Sequence, residues 1–275
     1  MNQPQPAVPV NRIAARFAAL KQAGKKAFIP YLCAGDPNLA ATENLVVALA
    51  EAGADVIELG VPYSDPMADG PAIQVACDRA LKAGTTLPKV LESVRRIRTR
   101  SQVPLLAFTY LAPVLAYGID RFAADAVAAG VDGVLLLDLP PDEDPGLIAR
   151  LRSAGLATVC LAAPTTPAGR KRMLAAESRG FLYYVCRLGV TGERAELPAD
   201  LAEQVALLRS AGDAPVAIGF GISTPEQAAA AARAGDGVVV GSHLVRLIEK
   251  HGSDPDLVAI VARRAGELVA AVHAV

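Results

Sequence analysis

No CxxC pair occurs among the four cysteines of this 275-residue sequence. Cys33, Cys160 and Cys186, in apolar strand-like segments, and Cys77, in a helical one, therefore read as small buried thiols in a reducing compartment. Only three histidines are present, His243, His251 and His273. They lack ligand-like spacing to one another or to a cysteine, so they read as solvated or capping groups and no metal site is expected. A formal net charge of -1 gives no footprint for nucleic acid. No apolar stretch is long and uninterrupted enough to span a membrane, and no signal-peptide core is present, which predicts a cytoplasmic protein. Before Asp36 the chain has no acidic residue. An Arg-bearing amphipathic helix over Asn11–Gln22, with Ile13, Phe17 and Leu20 on one face, has the look of a transit peptide. It runs straight into the first strand without a serine-rich linker, which favours a short helix covering the bottom of the fold, with residues 1–10 as a flexible tail.

What is present is one unit repeated. Short apolar, β-branched runs recur at Ala27–Cys33, Asp55–Gly60, Val103–Tyr110, Gly133–Leu139, Ala157–Ala162, Phe181–Arg187, Val216–Gly221 and Gly237–Gly241. Alanine- and leucine-rich helical stretches separate them. Eight strands alternating with helices predict a parallel sheet with right-handed crossovers. The length suits a single (β/α)8 TIM barrel, usually ~250 residues, spanning 1–275 without a linker. Doubly buried strands also account for a hydrophobic fraction of 52%. A doubly wound open sheet lacks support, because no GxGxxG follows the first strand. Ala-Gly pairs at 52–53, 129–130, 154–155, 211–212 and 234–235 mark helix ends, the glycine supplying a left-handed residue. Ala-Asp-Val after Gly53, Val-Asp-Gly-Val after Gly130 and Asp-Gly-Val after Gly235 are one helix-to-strand turn used three times. Thr224-Pro225-Glu226-Gln227 forms a capping box with proline at the first helical position, and Thr166-Pro167 and Asp254-Pro255 offer similar entries.

In such a barrel the loops after the last strands bind phosphate through backbone N–H groups. The seventh run ends in Gly219-Phe220-Gly221-Ile222-Ser223 and the eighth in Val240-Gly241-Ser242-His243. The sixth adds Arg187-Leu188-Gly189-Val190-Thr191-Gly192. Glycines let backbone approach an anion and helix N-termini add partial positive charge. Together the three loops point to a phosphorylated substrate.

Period two on the second strand places Val56, Glu58 and Gly60 on one face and Ile57 and Leu59 on the other. Glu58 thus projects into the barrel near its catalytic end, where lost water raises a carboxyl pKa and suits it to proton transfer. Asp65 and Asp69 follow in the next loop, Asp69 placed before Gly70-Pro71 where it is also suited to a turn or helix cap. Asp138 ends the fourth strand on the face of Val134 and Leu136. Phe181, Tyr183, Val185 and Arg187 share a face of the sixth, and Tyr31 and Tyr110 are placed to line the mouth. No lysine lies in any of these strands, which removes Schiff-base chemistry. No clustered histidines or carboxylates offer a metal. Cofactor-free acid–base chemistry on a phosphorylated compound remains.

The segment from Glu58 to Gln74, Glu-Leu-Gly-Val-Pro-Tyr-Ser-Asp-Pro-Met-Ala-Asp-Gly-Pro-Ala-Ile-Gln, closely resembles the signature of the tryptophan synthase alpha subunit family. Gly35-Asp36-Pro37, Gly189-Val190-Thr191-Gly192, Gly219–Ser223 and Gly241-Ser242 resemble that family's other motifs, and the likeness covers nearly the whole chain. The resemblance implies retro-aldol cleavage of indole-3-glycerol phosphate to indole and glyceraldehyde 3-phosphate. Glu58 matches the family's general acid–base and Asp69 the residue that holds the indole N–H. Tyr183 matches a tyrosine near the substrate hydroxyls, and Tyr31 and Tyr110 match pocket-lining aromatics. Gly192, Gly221, Gly241 and Ser242 match the phosphate site. Leu188–Pro198 resembles a mobile lid, with Thr191 placed to meet Asp69. The family's chains pass indole to a beta subunit that carries pyridoxal phosphate, in an alpha2beta2 complex, so no cofactor is implied in this chain. Pro62 and Asp65 match positions facing that partner. Two departures stand out: Ala112 replaces the usual asparagine of a Tyr-x-Asn-Pro segment, and Leu188 a residue often small or polar.

Three other readings stay open on the residues. One is a stand-alone indole-releasing lyase and another a phosphate-binding regulatory subunit with little chemistry, against which Glu58 and Asp69 both stand. The third is a phosphate-binding isomerase barrel of the histidine or thiamine pathway type, which shares the Gly241-Ser242 ending.

Overall fold

The computed structural model describes residues 11–186, 197–219 and 221–275. Helix α1 (Arg12–Gln22) leads into strand β1 (Ala27–Cys33), and then helices and strands alternate. They run α2 (Leu39–Glu51), β2 (Ile57–Gly60), α3 (Pro71–Lys82), α4 (Leu87–Arg98), β3 (Leu105–Thr109), α5 (Leu111–Tyr117), α6 (Ile119–Ala129) and β4 (Gly133–Leu136). The second half runs α7 (Pro145–Ser153), β5 (Ala157–Thr158), β6 (Cys160–Ala162), α8 (Ala168–Glu177), β7 (Leu182–Val185), α9 (Leu201–Arg209), β8 (Val216–Gly219), α10 (Pro225–Ala234), β9 (Gly237–Val240), α11 (Ser242–His251) and α12 (Leu257–His273).

Every strand pairing is parallel, in the order β5-β4-β3-β2-β1-β9-β8-β7-β6. Only Val159 separates β5 from β6, so the two ends of that order are one chain segment and the ring is the expected barrel. The fifth expected strand, Ala157–Ala162, is divided because the Cys160 amide turns to the Ser178 hydroxyl at 3.0 Å. The Val159 amide still reaches the Val134 carbonyl at 3.0 Å.

Side chains sort into an inner and an outer layer as period two requires. Ile29, Tyr31, Val56, Leu106, Phe108 and Val239 fill the barrel, while Phe28, Ile57, Leu59, Leu105 and Val238 pack under the helices. Asp138 does share parity with Val134 and Leu136, but that face is the outer one. In register, Leu135 lies opposite the inward Phe108, so the barrel takes Leu135, and the exposed Asp138 accepts the Leu111 amide at 2.7 Å.

Helix α1 does cover the bottom. Asn11 caps it by accepting the Ile13 amide, and Ile13, Phe17 and Leu20 join the inner layer, with Phe17 5.7 Å from the Phe181 ring. The thrice-used turn explains how it is held. Asp55, Asp132 and Asp236 accept amides at the starts of neighbouring strands, from Phe28 at 2.6 Å, Leu105 at 2.8 Å and Val216 at 2.9 Å. The same carboxylates take cations: Arg16 on Asp55, Arg12 and Arg98 on Asp132, and Arg209 on Asp236. Two of those arginines belong to α1, so the helix is clipped to the barrel floor by the groups that start its strands.

Of the five expected glycine stops, Gly53, Gly130 and Gly155 are left-handed, at φ 102, 99 and 106°. Gly212 and Gly235 are not, and serve close packing instead: a Cβ on Gly212 would meet the Ala175 carbonyl at 2.2 Å and one on Gly235 the Ile218 side chain at 2.8 Å. The capping box at Thr224 forms as expected. Thr166 and Asp254 do not cap helices. They accept the Ala163 and Asp256 amides within the preceding turns, and α8 and α12 start later.

Candidate active site

Strand β2 delivers Glu58 into the barrel, only 1% exposed. Its Oε1 is the buried side-chain polar atom left without a hydrogen-bond partner among the described residues. Burial pushes its pKa up to about 8, so at neutral pH the group is a protonated acid held in a dry pocket. Opposite it in register on β1 stands Tyr31, packed edge-on to Phe108 with ring centroids 5.2 Å apart. Tyr31 fits because position 60 has no side chain: a Cβ on Gly60 would lie 2.1 Å from the Tyr31 hydroxyl. Tyr183 on β7 uses the same device, since a Cβ on Gly219 would lie 2.4 Å from its hydroxyl. Burial, and then the neighbouring Glu58, raise the Tyr183 pKa well above 10, so it remains a neutral hydroxyl.

The loop between β2 and α3 brings the second acid. Asp69 neither caps α3, whose N-cap is Gly70 without a side-chain bond, nor closes a turn with its carboxylate. That carboxylate accepts the Tyr110 hydroxyl at 2.9 Å, and the same hydroxyl accepts the Ala68 amide at 3.0 Å. Burial raises the Asp69 pKa to about 6 and the Tyr110 bond opposes the rise. The loop is anchored on its far side by Gln74, which donates to the Asp69 carbonyl at 2.9 Å. Tyr63 packs on Tyr110 with centroids 5.2 Å apart. Sequence reasoning placed Tyr110 as a pocket wall only. Its bond to Asp69 joins residues 41 apart, and period two on the third strand was the signal available for it and for the overlooked Phe108.

At the other side of the mouth, Gly221 sits at φ +64° and turns the chain toward α10. The capping box there spends loop amides: Ser223 and Thr224 both donate to Gln227 Oε1, at 2.9 and 3.2 Å. Helix α11 differs. Its N-cap is Gly241, no side-chain cap bond is made, and Ser242 is buried at its first position. With no side-chain cap on its first-turn amides and the helix dipole behind them, this N-terminus is suited to an anion. Gly192 and Thr191, together with Leu188 and Arg187, lie outside the described residues. Pro62 is buried and Asp65 exposed, and Met67 in the same loop is 81% exposed. Among the described residues no group of three or more His, Cys, Asp or Glu is gathered to hold a metal ion, and no helix is long and apolar enough to cross a membrane.

A neutral acid with a free oxygen, a carboxylate poised near pH 6 and a helix N-terminus without a side-chain cap at one barrel mouth suit proton transfer on an anionic compound. Comparison with known proteins agrees. A family model described as tryptophan synthase alpha chain matches residues 17–272. The tryptophan synthase alpha chain of Geobacter sulfurreducens is 55% identical over 241 residues, 88% of this chain and 91% of that one. That of Solibacter usitatus is 53% identical over 248 residues, 90% and 93% of the two chains. The chain belongs to the tryptophan synthase alpha chain family.

Solved structures agree with this membership. Tryptophan synthase subunit alpha from Legionella pneumophila matches at a TM-score of 0.88 and 37% identity, covering 97% of this chain and all of the other. Mycobacterium tuberculosis tryptophan synthase matches at 0.87 and 36%, covering 96% and 98%. Membership in the tryptophan synthase alpha chain family sets aside the histidine- and thiamine-type isomerases. Ala112, one of the two departures from the family pattern, is exposed in α5.

Proposed function

We propose that the chain cleaves indole-3-glycerol phosphate as the alpha subunit of tryptophan synthase, with Glu58 as the acid–base and Asp69 as the indole N–H acceptor. The chain is a carbon–carbon lyase of tryptophan biosynthesis by family. The observation that carries the residue roles is the unpartnered, protonated Glu58 oxygen in the same mouth as an ionised Asp69. Glu58 gives its proton to the ring carbon that bears the glycerol phosphate chain. The ring nitrogen becomes positively charged, and Asp69 accepts its N–H and stabilises that charge. The carboxylate left on Glu58 then takes the proton of the adjacent side-chain hydroxyl. The carbonyl of glyceraldehyde 3-phosphate forms, the carbon–carbon bond breaks, and its electrons return to the ring nitrogen, releasing indole with Glu58 protonated again. Tyr183 faces the substrate hydroxyls, Tyr31 and Tyr110 wall the ring, and Gly221, Gly241 and Ser242, with Gly192, hold the phosphate.

The reading extends to a beta subunit that carries pyridoxal phosphate and receives the indole in an alpha2beta2 complex, with the loop of Pro62 and the exposed Asp65 meeting it, and to a cytoplasmic location. The test is indole release from indole-3-glycerol phosphate by purified protein, with and without a beta subunit, alongside Glu58→Gln. Slow turnover that rises with the beta subunit and drops at least ~100-fold in the variant is expected. Fast turnover by the chain alone would instead mark a stand-alone lyase, and no turnover in either state would overturn the assignment.

A further inference from the structure

The mechanism leaves two nucleophilic groups beside the site unused. Cys33, the last residue of β1, and Cys77, in the second turn of α3, meet with their Sγ atoms 3.9 Å apart. Both are free thiols, 1% and 4% exposed, and both belong to the inner layer with Tyr31 and Tyr183. Cys160 and Cys186 instead lie in the outer layer under the helices. The inner pair bridges two elements that position the acids. Cys33 is opposite Gly60 in register, two residues beyond Glu58. Cys77 lies one turn after Gln74, whose side chain holds the Asp69 loop by its carbonyl. Arg79, two residues on, already binds Asp36 through two 2.8 Å bonds, so the seam between β1 and α3 is fixed on one side of the thiols.

We propose that Cys33 and Cys77 form a dithiol modification site that a small peroxide closes to a disulfide, drawing α3 toward β1 and slowing the cleavage reaction. Sulfurs in van der Waals contact need to approach by roughly 2 Å to reach bonding distance, a movement that side-chain rotation and the α3 backbone share. The thiols differ in acidity as the chemistry wants. The hydrogen bond from Cys33 lowers the Cys77 pKa, while the Cys33 pKa is raised. The Cys77 sulfur attacks one peroxide oxygen, the O–O bond breaks, and water leaves with Cys77 as a sulfenic acid. The Cys33 sulfur then attacks Cys77 Sγ and expels the second water, so that two thiols and hydrogen peroxide become one disulfide and two waters. Burial restricts the reaction to reagents about the size of water. Burial also raises the Cys160 and Cys186 pKa values to about 11 and about 12, which makes them internal controls.

The test treats the full chain with hydrogen peroxide, quenches it, and counts and maps thiols after denaturation. Two of the four thiols are expected to disappear together, in a reversible Cys33–Cys77 cross-link, while a bulky aromatic disulfide leaves all four intact in the native protein. Four surviving thiols, a bond involving Cys160 or Cys186, or intermolecular links would overturn the site. The effect on turnover rests on the lyase reading, whereas the thiol count does not, so the two fail separately. Indole release is expected to fall by ~10-fold or more on oxidation, as a misplacement of about an ångström implies, and to return with dithiothreitol. Cross-linked protein with unchanged turnover, or Cys33→Ser losing as much turnover to peroxide as the unaltered chain, would sink the coupling to catalysis.

Discussion

A carboxyl group buried without a partner is kept neutral by its surroundings, and Glu58 illustrates what that costs and supplies. Its folded pKa of about 8 lies above the ordinary 4.5, so the folded chain holds a proton that the unfolded chain releases. The stabilising contribution is complete below pH 4.5 and is lost as pH rises through 8. Glu58→Gln should therefore gain stability relative to the unaltered chain as pH rises between those values, reaching on the order of a few kcal/mol above the upper one. Urea unfolding at pH 5.5 and 8.5 checks this, and a constant difference between the proteins would count against it. Turnover needs Glu58 protonated and Asp69 ionised, so it should rise as pH passes about 6 and fall as pH passes about 8. Tyr110→Phe removes the bond that holds the Asp69 pKa down, moving the acid limb upward and lowering kcat by ~10-fold with the alkaline limb in place. A pH–rate profile unmoved by that change would separate Tyr110 from Asp69.

At the scale of elements, the helix-to-strand turn carries the barrel floor. Asp55, Asp132 and Asp236 look alike in sequence, but burial grades them. Asp55 has a fully buried side chain and serves Phe28, Arg16 and His273, whereas the Asp236 side chain is 31% exposed. Asp55→Asn should cost ~3 kcal/mol, because it strands buried donors and a cation, and Asp236→Asn ~1 kcal/mol. Chemical denaturation of the two variants decides, and equal losses would mean that burial does not set the cost. The parity of each strand was legible where an acid or glycine marked it, as on β2. On the fourth strand apolar residues occupy both faces, so pattern alone left open which face met the barrel, and only the register with Phe108 decided it. The break at Val159 was likewise invisible, since it depends on Ser178 reaching back to Cys160.

For the whole molecule, helix α1 is the plug of the inner layer. Deleting residues 1–22 would strip Ile13, Phe17 and Leu20 from the barrel, worth about 2 kcal/mol each, and leave Asp55 and Asp132 without two of their cations. A fall in Tm of at least ~10 °C is expected, followed by circular dichroism. An unchanged Tm would show α1 to be dispensable.

The alternation of strands and helices, the capping box at Thr224 and the inward turn of Glu58 were set by local pattern, because period two and cap chemistry act over a few residues. The lack of any partner for Glu58 Oε1, the Tyr110 bond to Asp69 and the meeting of Cys33 with Cys77 were decided only in the folded barrel. Each depends on groups far apart in the chain that closure of the barrel brings together, and so does the depth of burial that sets the acids' pKa values.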